Sequence, residues 1–304
     1  MNETLLIVNA DDLGMSRGVT DGILLAFKHG ILTSASLMAN MPAAEYALGR
    51  LESAPGLGVG CHLNICQGWP LLPRAEVPTL VGPSGCFHPP AEMARRLWRF
   101  QVNPHEIEAE FREQIRWMKF RRLFPTHADS HHHMHLYPAA ALPFARALAR
   151  EHIPCARTSR CSVFPRSASF GGPHEGGPLR RVLVGSYRAA LQSTVFRRLL
   201  SPDCRIAFVS RDRNNLALLG AQWRLALWNL PSGAFELACH PGMSDPREEN
   251  QFDAIRAQRE QELCWLLNSE LRDIIAACGI RLITYDGLRA PAAVRTAAAR
   301  VAAA

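Results

Sequence analysis

Four short clusters of side chains carry most of the chemistry this sequence can offer: Asn9-Ala10-Asp11-Asp12, Cys61-His62-Leu63-Asn64, the run from His127 through Asp129, His131, His132 and His133 to His135, and Cys239-His240-Pro241-Gly242. Carboxylates and imidazoles are the oxygen and nitrogen donors of a divalent cation site. One carboxylate with two imidazoles leaves coordination positions open for water and substrate, as in a catalytic rather than a structural metal centre. Two adjacent aspartates repel each other unless a cation compensates one and the other has a separate task. The natural division puts Asp12 on the metal and leaves Asp11 as a general base. Each cluster also has a plain structural explanation. Asp12 could cap the helix that follows, although Ser16 is better placed, and His62 could be a hydrogen-bonded core residue. The histidine run resists that explanation, because four imidazoles within five positions repel on protonation unless something employs them. In an extended segment His131, His133 and His135 share one face and His132 takes the other, so not every member reaches one site.

The elements that must position these clusters are short apolar runs alternating with helical patterns. Strands are expected at Leu5–Asn9, Thr33–Ala39, Leu57–Cys61, Thr126–Asp129, Pro154–Thr158, Ile206–Ser210, Phe235–Cys239 and Ile280–Thr284. Asn103, Pro104 and Glu106 form a capping-box start for a helix toward Arg122. A second helix is expected from Pro138 to Arg150, and a long one from about Arg247 to Cys278, closed by Gly279, as Gly30 closes the first. Two Pro/Gly/Ser-rich segments, Gln67–Pro90 and Ser159–Pro178, are too long for routine connections and are expected to shape a site. No internal repeat or linker divides the chain. The pattern predicts an α/β fold, a single-domain parallel β/α barrel-like structure related to the TIM barrel, with an open doubly wound sheet as the competitor. Its domain is expected over residues 1–289, followed by an alanine-rich tail at 290–304. In such folds polar groups act at the carboxyl ends of strands, where all four clusters fall.

With 304 residues, 48% hydrophobic and 20% charged, the chain is neither disordered nor fibrous. No apolar stretch approaches the roughly 18 to 20 residues that cross a bilayer, and the N-terminus runs into a strand rather than a secretory signal, so a soluble, unexported, cytoplasmic protein is expected. Nine cysteines without a CxxC pair suggest reduced thiols rather than a disulfide framework or zinc ribbon. The formal charge of +7 favours anionic surfaces without identifying one. Basic and aromatic residues mix at Arg95–Phe100 and Arg116–Phe124, a composition suited to a membrane interface or to phosphates. An ordinary amphipathic helix with a solvated basic side explains it as well.

The segments Asn9-Ala10-Asp11-Asp12-Leu13-Gly14, His62-Leu63-Asn64, Asp129-Ser130-His131-His132-His133-Met134-His135 and His240-Pro241-Gly242, in this order, resemble the YdjC-like carbohydrate deacetylases, and the resemblance extends to about Leu288. Leu13 stands where the family commonly has phenylalanine, and Met134 where it has a branched residue. The resemblance implies a β/α barrel that removes acetyl groups from N-acetylated sugars with a divalent metal, magnesium foremost and zinc as the alternative. It implies Asp12, His62 and His131 as metal ligands, Asp11 as catalytic base and His240 as general acid; Asn64, His133 and Arg157 are the expected substrate contacts. The hopanoid-biosynthesis-associated branch is the one it looks like, implying an N-acetylglucosaminyl lipid as substrate beside chitooligosaccharides. Contact with the inner membrane through Trp98, Phe100, Trp117 and Phe120, and a homo-oligomer, are compatible with that reading; nucleic acid is not an expected partner. The competing functions are a metal-dependent hydrolase of another amide or a phosphate ester, and a non-enzymatic basic lipid- or nucleic-acid-binding protein.

Overall fold

A computed structural model describes residues 3–158, 162–163, 178–206, 216–244 and 253–289. The expected tail, most of the Ser159–Pro178 segment, all of the Ile206–Ser210 strand but Ile206 and the start of the long C-terminal helix lie outside these residues.

Strand β1 spans Thr4–Leu13 and is buried almost throughout, as a parallel strand covered on both faces must be. It is followed by α1 (Arg17–His29), β2 (Ser34–Leu37), α2 (Ala44–Leu51), β3 (Gly58–Leu63), α3 (Pro90–Trp98), α4 (Pro104–Phe120), β4 (Ala128–Ser130) and α5 (Pro138–Arg150). The second half contains β5 (Ser162–Val163), α6 (Pro178–Ser193), β6 (Cys204–Ile206), α7 (Leu216–Trp228), β7 (Gly233–Cys239), α8 (Arg256–Leu266), α9 (Ser269–Ala277) and β8 (Ile280–Leu282). Among the described residues the named strands pair in parallel, in the order β4-β3-β2-β1-β7-β6-β5. Along one edge β1 pairs with β7 from Thr4 to Ala10. Along the other it pairs first with β8 at Thr4–Leu6 and then with β2 from Asn9. The first strand thus meets the last two, as a barrel requires and the open-sheet alternative does not. Bridges Ala128↔Ala156 and Cys155↔Leu200 carry the pairing from β4 toward the chain entering β6, so the expected barrel-like single domain is what forms. The segment expected as a strand at Pro154–Thr158 contributes only these bridges.

Local signals explain most boundaries. Ser16 accepts from Val19 N at 3.1 Å and caps α1. Asn103 caps α4 by accepting from His105 N at 3.0 Å, but the reciprocal half of the expected capping box is replaced. Glu106 instead accepts from Thr79 N and Oγ1 at 2.8 and 2.7 Å, and Thr79 Oγ1 receives Asn103 N at 2.9 Å. This ties the long loop after β3 to α4. The single C-terminal helix is corrected to two: the chain breaks after α8, and Asn268 accepts from Glu270 N at 2.9 Å as a fresh N-cap for α9. No helix among the described residues is long and apolar enough to cross a membrane.

Candidate active site

Side chains on a regular strand alternate between faces, so Asp11 and Asp12 should point apart. They do not, because the β1–β2 register shifts between Ala10 and Leu13 and Asp12 adopts a left-handed backbone at φ 68°. The irregularity turns both carboxylates into the mouth of the barrel. There Asp12 Oδ1 lies 3.4 Å from His62 Nε2 at the end of β3 and 3.1 Å from His131 Nδ1, which follows β4. The two imidazole nitrogens are 3.3 Å apart. All three residues are buried.

This triangle fits a divalent cation. Donor atoms about 2.0–2.2 Å from one ion in a tetrahedral set lie roughly 3.3–3.6 Å apart, close to the edges found here. Asp12 Oδ1 is buried, and no donor satisfies it. The far side of each imidazole is occupied: His62 Nδ1 faces Asp129 Oδ1 at 2.7 Å, and His131 Nε2 faces Gln67 Oε1 at 2.8 Å. With those nitrogens engaged, His62 Nε2 and His131 Nδ1 are the ring atoms left to hold an ion beside Asp12 Oδ1. Asn64 arranges the second of these contacts. Fully buried, it accepts from Cys66 N and Gln67 N at 3.0 and 3.1 Å and donates to Gln67 O at 2.8 Å, forming the turn that presents Gln67.

Electrostatics points the same way. Burial alone would raise the Asp12 pKa, but Arg259, His131 and His62 hold it well below the usual carboxylate range. Burial would lower that of His62, yet Asp129, Asp11 and Asp12 raise it to about 9. A bound cation must displace that proton. Apparent affinity for Mn2+ is therefore expected to rise about tenfold per pH unit between about pH 6 and 8.5, measured by titration calorimetry. A flat profile would mean that binding displaces no proton from His62 in this range.

Asp11 stands apart from the triangle. Both its oxygens receive Arg157, Nη1 to Oδ2 and Nη2 to Oδ1, each at 2.7 Å, and Asn9 Nδ2 donates to Oδ1 at 3.0 Å. Burial opposes ionisation, but Arg157 outweighs it and lowers the Asp11 pKa. The guanidinium also meets Glu236 at 2.7–3.1 Å and Asp129 at 3.0 Å. Arg157 is 2% exposed and engaged through Nε, Nη1 and Nη2, which puts it behind Asp11 rather than at an open substrate surface. His240, after β7, closes the other side: Nε2 is 3.8 Å from Asp11 Oδ2 and Nδ1 is 3.7 Å from Glu262 Oε2. Burial would lower its pKa, but Glu262 with Asp11 and Asp12 raises it. Its side chain is 34% exposed, so it can reach a bound substrate.

The rest of the histidine run departs from the extended arrangement. His131–Leu136 is a 3-10 turn with left-handed backbone at His132 and His133, so the alternation of faces is lost. His132 is exposed, and His133 Nε2 meets Arg205 Nη1 rather than the triangle. His135 is structural. Its Nδ1 lies 2.6 Å from Ser130 Oγ, its Nε2 2.9 Å from Arg157 O, and its ring stacks on Phe144. Burial pushes its pKa down to about 3, so it adds no charge to the run. Of the eight residues singled out by sequence, Asp11, Asp12, His62, His131 and His240 converge, while Asn64, His133 and Arg157 surround them. Sequence reasoning passed over Gln67, Glu236, Glu262 and Arg259. The Asn64–Gln67 turn carried a local signal, whereas the other three join the site from segments whose spacing shows none.

The basic-aromatic stretches flank α4, a helix of 17 residues about 25 Å long: Trp98 and Phe100 precede it, Phe120 is its last residue and Phe124 follows it, all four exposed. Trp117 packs against the core beneath Arg121, whose guanidinium lies 3.8 Å from its ring centre.

Fold and site together define a β/α barrel protein with a carboxylate and two imidazoles arranged as one face of a divalent cation site. The chain belongs to the YdjC-like protein family, whose model matches residues 5–277. It is 44% identical over 285 residues to a carbohydrate deacetylase of Geobacillus stearothermophilus, covering 92% of this chain and 96% of that one. A chitooligosaccharide deacetylase of Escherichia fergusonii is 35% identical over 290 residues, covering 93% and 98%. With the carbohydrate deacetylase of Halalkalibacterium halodurans the match, at 40% identity, spans 147 residues, 48% of this chain and 60% of that protein. Among solved structures, an Enterococcus faecalis V583 protein named for cellobiose-phosphate cleavage superposes with a TM-score of 0.75 at 25% identity, covering 94% and 99%.

Proposed function

We propose that this protein is a carbohydrate deacetylase that hydrolyses the acetamide of an N-acetylated sugar. The observation that carries the reading is the buried face of Asp12, His62 and His131 beside the arginine-held carboxylate of Asp11, with His240 facing them across the opening. Asp12, His62 and His131 would hold the cation, magnesium by family resemblance and zinc as the alternative. The ion supplies Lewis acidity that makes a water acidic enough to attack at neutral pH. Asp11 accepts that water's proton as the water adds to the acetyl carbonyl, and Arg157 fixes the carboxylate in position and keeps it ionised until then. An amine is a poor leaving group unless protonated. His240, whose hold on a proton Glu262 strengthens, delivers the proton as the carbon–nitrogen bond breaks, giving acetate and the free amino sugar.

For the substrate we propose a chitooligosaccharide-like sugar or its lipid-linked counterpart, an N-acetylglucosaminyl hopanoid. The relatives' names support the first, and the motif resemblance suggests the second. The reaction belongs in the cytoplasm, and for the lipid-linked case the exposed Trp98 and Phe100 offer a membrane contact. The test incubates metal-loaded protein with each substrate and follows acetate release and loss of acetyl mass, with a chelated control. Activity on one substrate that chelation abolishes is the expected result; no release from either overturns the reading. Flotation with anionic liposomes checks the contact, and absence of binding at low salt removes it.

A further inference from the structure

Asp12 has two oxygens, and only one faces the triangle. The other, Oδ2, receives Nη2 of Arg259 at 2.8 Å. Arg259 comes from α8, 247 residues away in sequence, and is 2% exposed. Its Nε is anchored by both oxygens of Asp253 at 2.9 and 3.0 Å, so the guanidinium has a fixed position and its charge has a partner. The same residue touches the segment that carries His240: Gly242 N donates to Arg259 O at 3.3 Å, and Arg259 Nη1 lies 3.5 Å from His240 O. Room for this crossing depends on Gly242. A Cβ there would stand 3.0 Å from Arg259 Cδ and 3.3 Å from Val19 Cα.

A free carboxylate beside a divalent cation can chelate it through both oxygens and occupy two positions. Engaging Oδ2 with a guanidinium prevents this and leaves Oδ1 as the sole donor, so that more of the coordination shell stays open to water and substrate. A bare lysine or arginine would repel the incoming cation; Arg259 carries Asp253 with it and offsets much of that repulsion. We infer that Arg259 is a positioning residue that makes Asp12 a one-oxygen ligand and sets the His240 segment against it. This rests on the cation reading above.

The test uses Co2+ as both ligand and probe, because its visible absorption weakens as its coordination number rises. Full-length Arg259→Gln and Arg259→Lys are compared with the native protein for Co2+ affinity, visible spectrum, kcat and KM. For Arg259→Gln we expect the band to weaken, and kcat to fall about 10- to 100-fold with KM nearly unchanged, the range for residues that orient metal ligands. Asp253→Asn should move the spectrum the same way by less. Arg259→Lys, whose single ammonium cannot bind Asp12 Oδ2 and both oxygens of Asp253 at once, should weaken the band by less than the glutamine variant does, and decides the matter should that variant fail to fold. A purely structural role would lower thermal stability without altering the Co2+ band. If the native protein binds Co2+ and every folded Arg259 variant gives the same band and affinity, the inference is overturned while the cation site stands. If the native protein binds no cation at all, the site itself fails and this role fails with it.

Discussion

Asp11→Asn is expected to lose about 10²- to 10⁴-fold in kcat while still binding a cation with near-native affinity, whereas Asp12→Asn loses both. The two residues are neighbours on β1, yet their surroundings assign them different tasks. Asp12 Oδ1 lies within 3.4 Å of both His62 Nε2 and His131 Nδ1, while Oδ2 accepts from Arg259, so an amide there keeps its oxygen on Arg259, turns its NH2 to the triangle and removes one of three ligand atoms. Asp11 is held by Arg157 outside that triangle. An asparagine fits the same space and can still accept one Arg157 hydrogen bond, but its amide cannot take the proton of an attacking water. Loss of a positioned general base costs about 10²- to 10⁴-fold. Chelator competition measures the cation, and a stopped acetate assay measures turnover. Full activity in Asp11→Asn would show that the base is another group.

How far this site could be read from the chain depends on the range of the interactions involved. Asn9-Ala10-Asp11-Asp12, His62-Leu63-Asn64 and His240-Pro241-Gly242 each end or follow an apolar run, and in a parallel barrel such ends meet at one rim. Periodicity therefore located them. It could not show how two adjacent aspartates serve one centre, because that needs the left-handed backbone at Asp12, which strand alternation forbids. The His131–Leu136 turn was hidden for a similar reason: extended and 3-10 backbones place His131, His133 and His135 quite differently, and composition does not choose between them. Arg259, Glu236 and Glu262 reach the site through tertiary contacts across the whole chain. Charged residues on a helix or strand ordinarily face water, and nothing in their spacing marks these as buried. Even the break at Asn268 is local only in hindsight, since Asn268-Ser269-Glu270 can cap a helix or continue one.

Arg157→Met is expected to destabilise the protein by about 3–5 kcal/mol at neutral pH, the cost of breaking a buried ion pair from one side. The loss is a large part of the roughly 5–15 kcal/mol that holds a typical domain folded. A methionine fills most of the space, so packing is not the main issue. Three buried carboxylates, Asp11, Asp129 and Glu236, lose their common cation and must stay ionised without it or take up protons. In the native protein burial would raise the Asp11 and Asp129 pKa values, and Arg157 brings both below the ordinary value of 3.8. Their ionisation then contributes stability that is present above pH 3.8 and lost as acid is added. Without Arg157 burial prevails, the folded-state pKa values rise above 3.8, and protonation favours the fold. The gap between variant and native protein should therefore be widest at pH 7 and narrow steadily toward about pH 4 as the variant takes up protons that the native protein does not. Urea denaturation at several pH values measures it. An equal gap at every pH would mean that Arg157 stabilises the barrel through packing, and that its carboxylates do not depend on its charge.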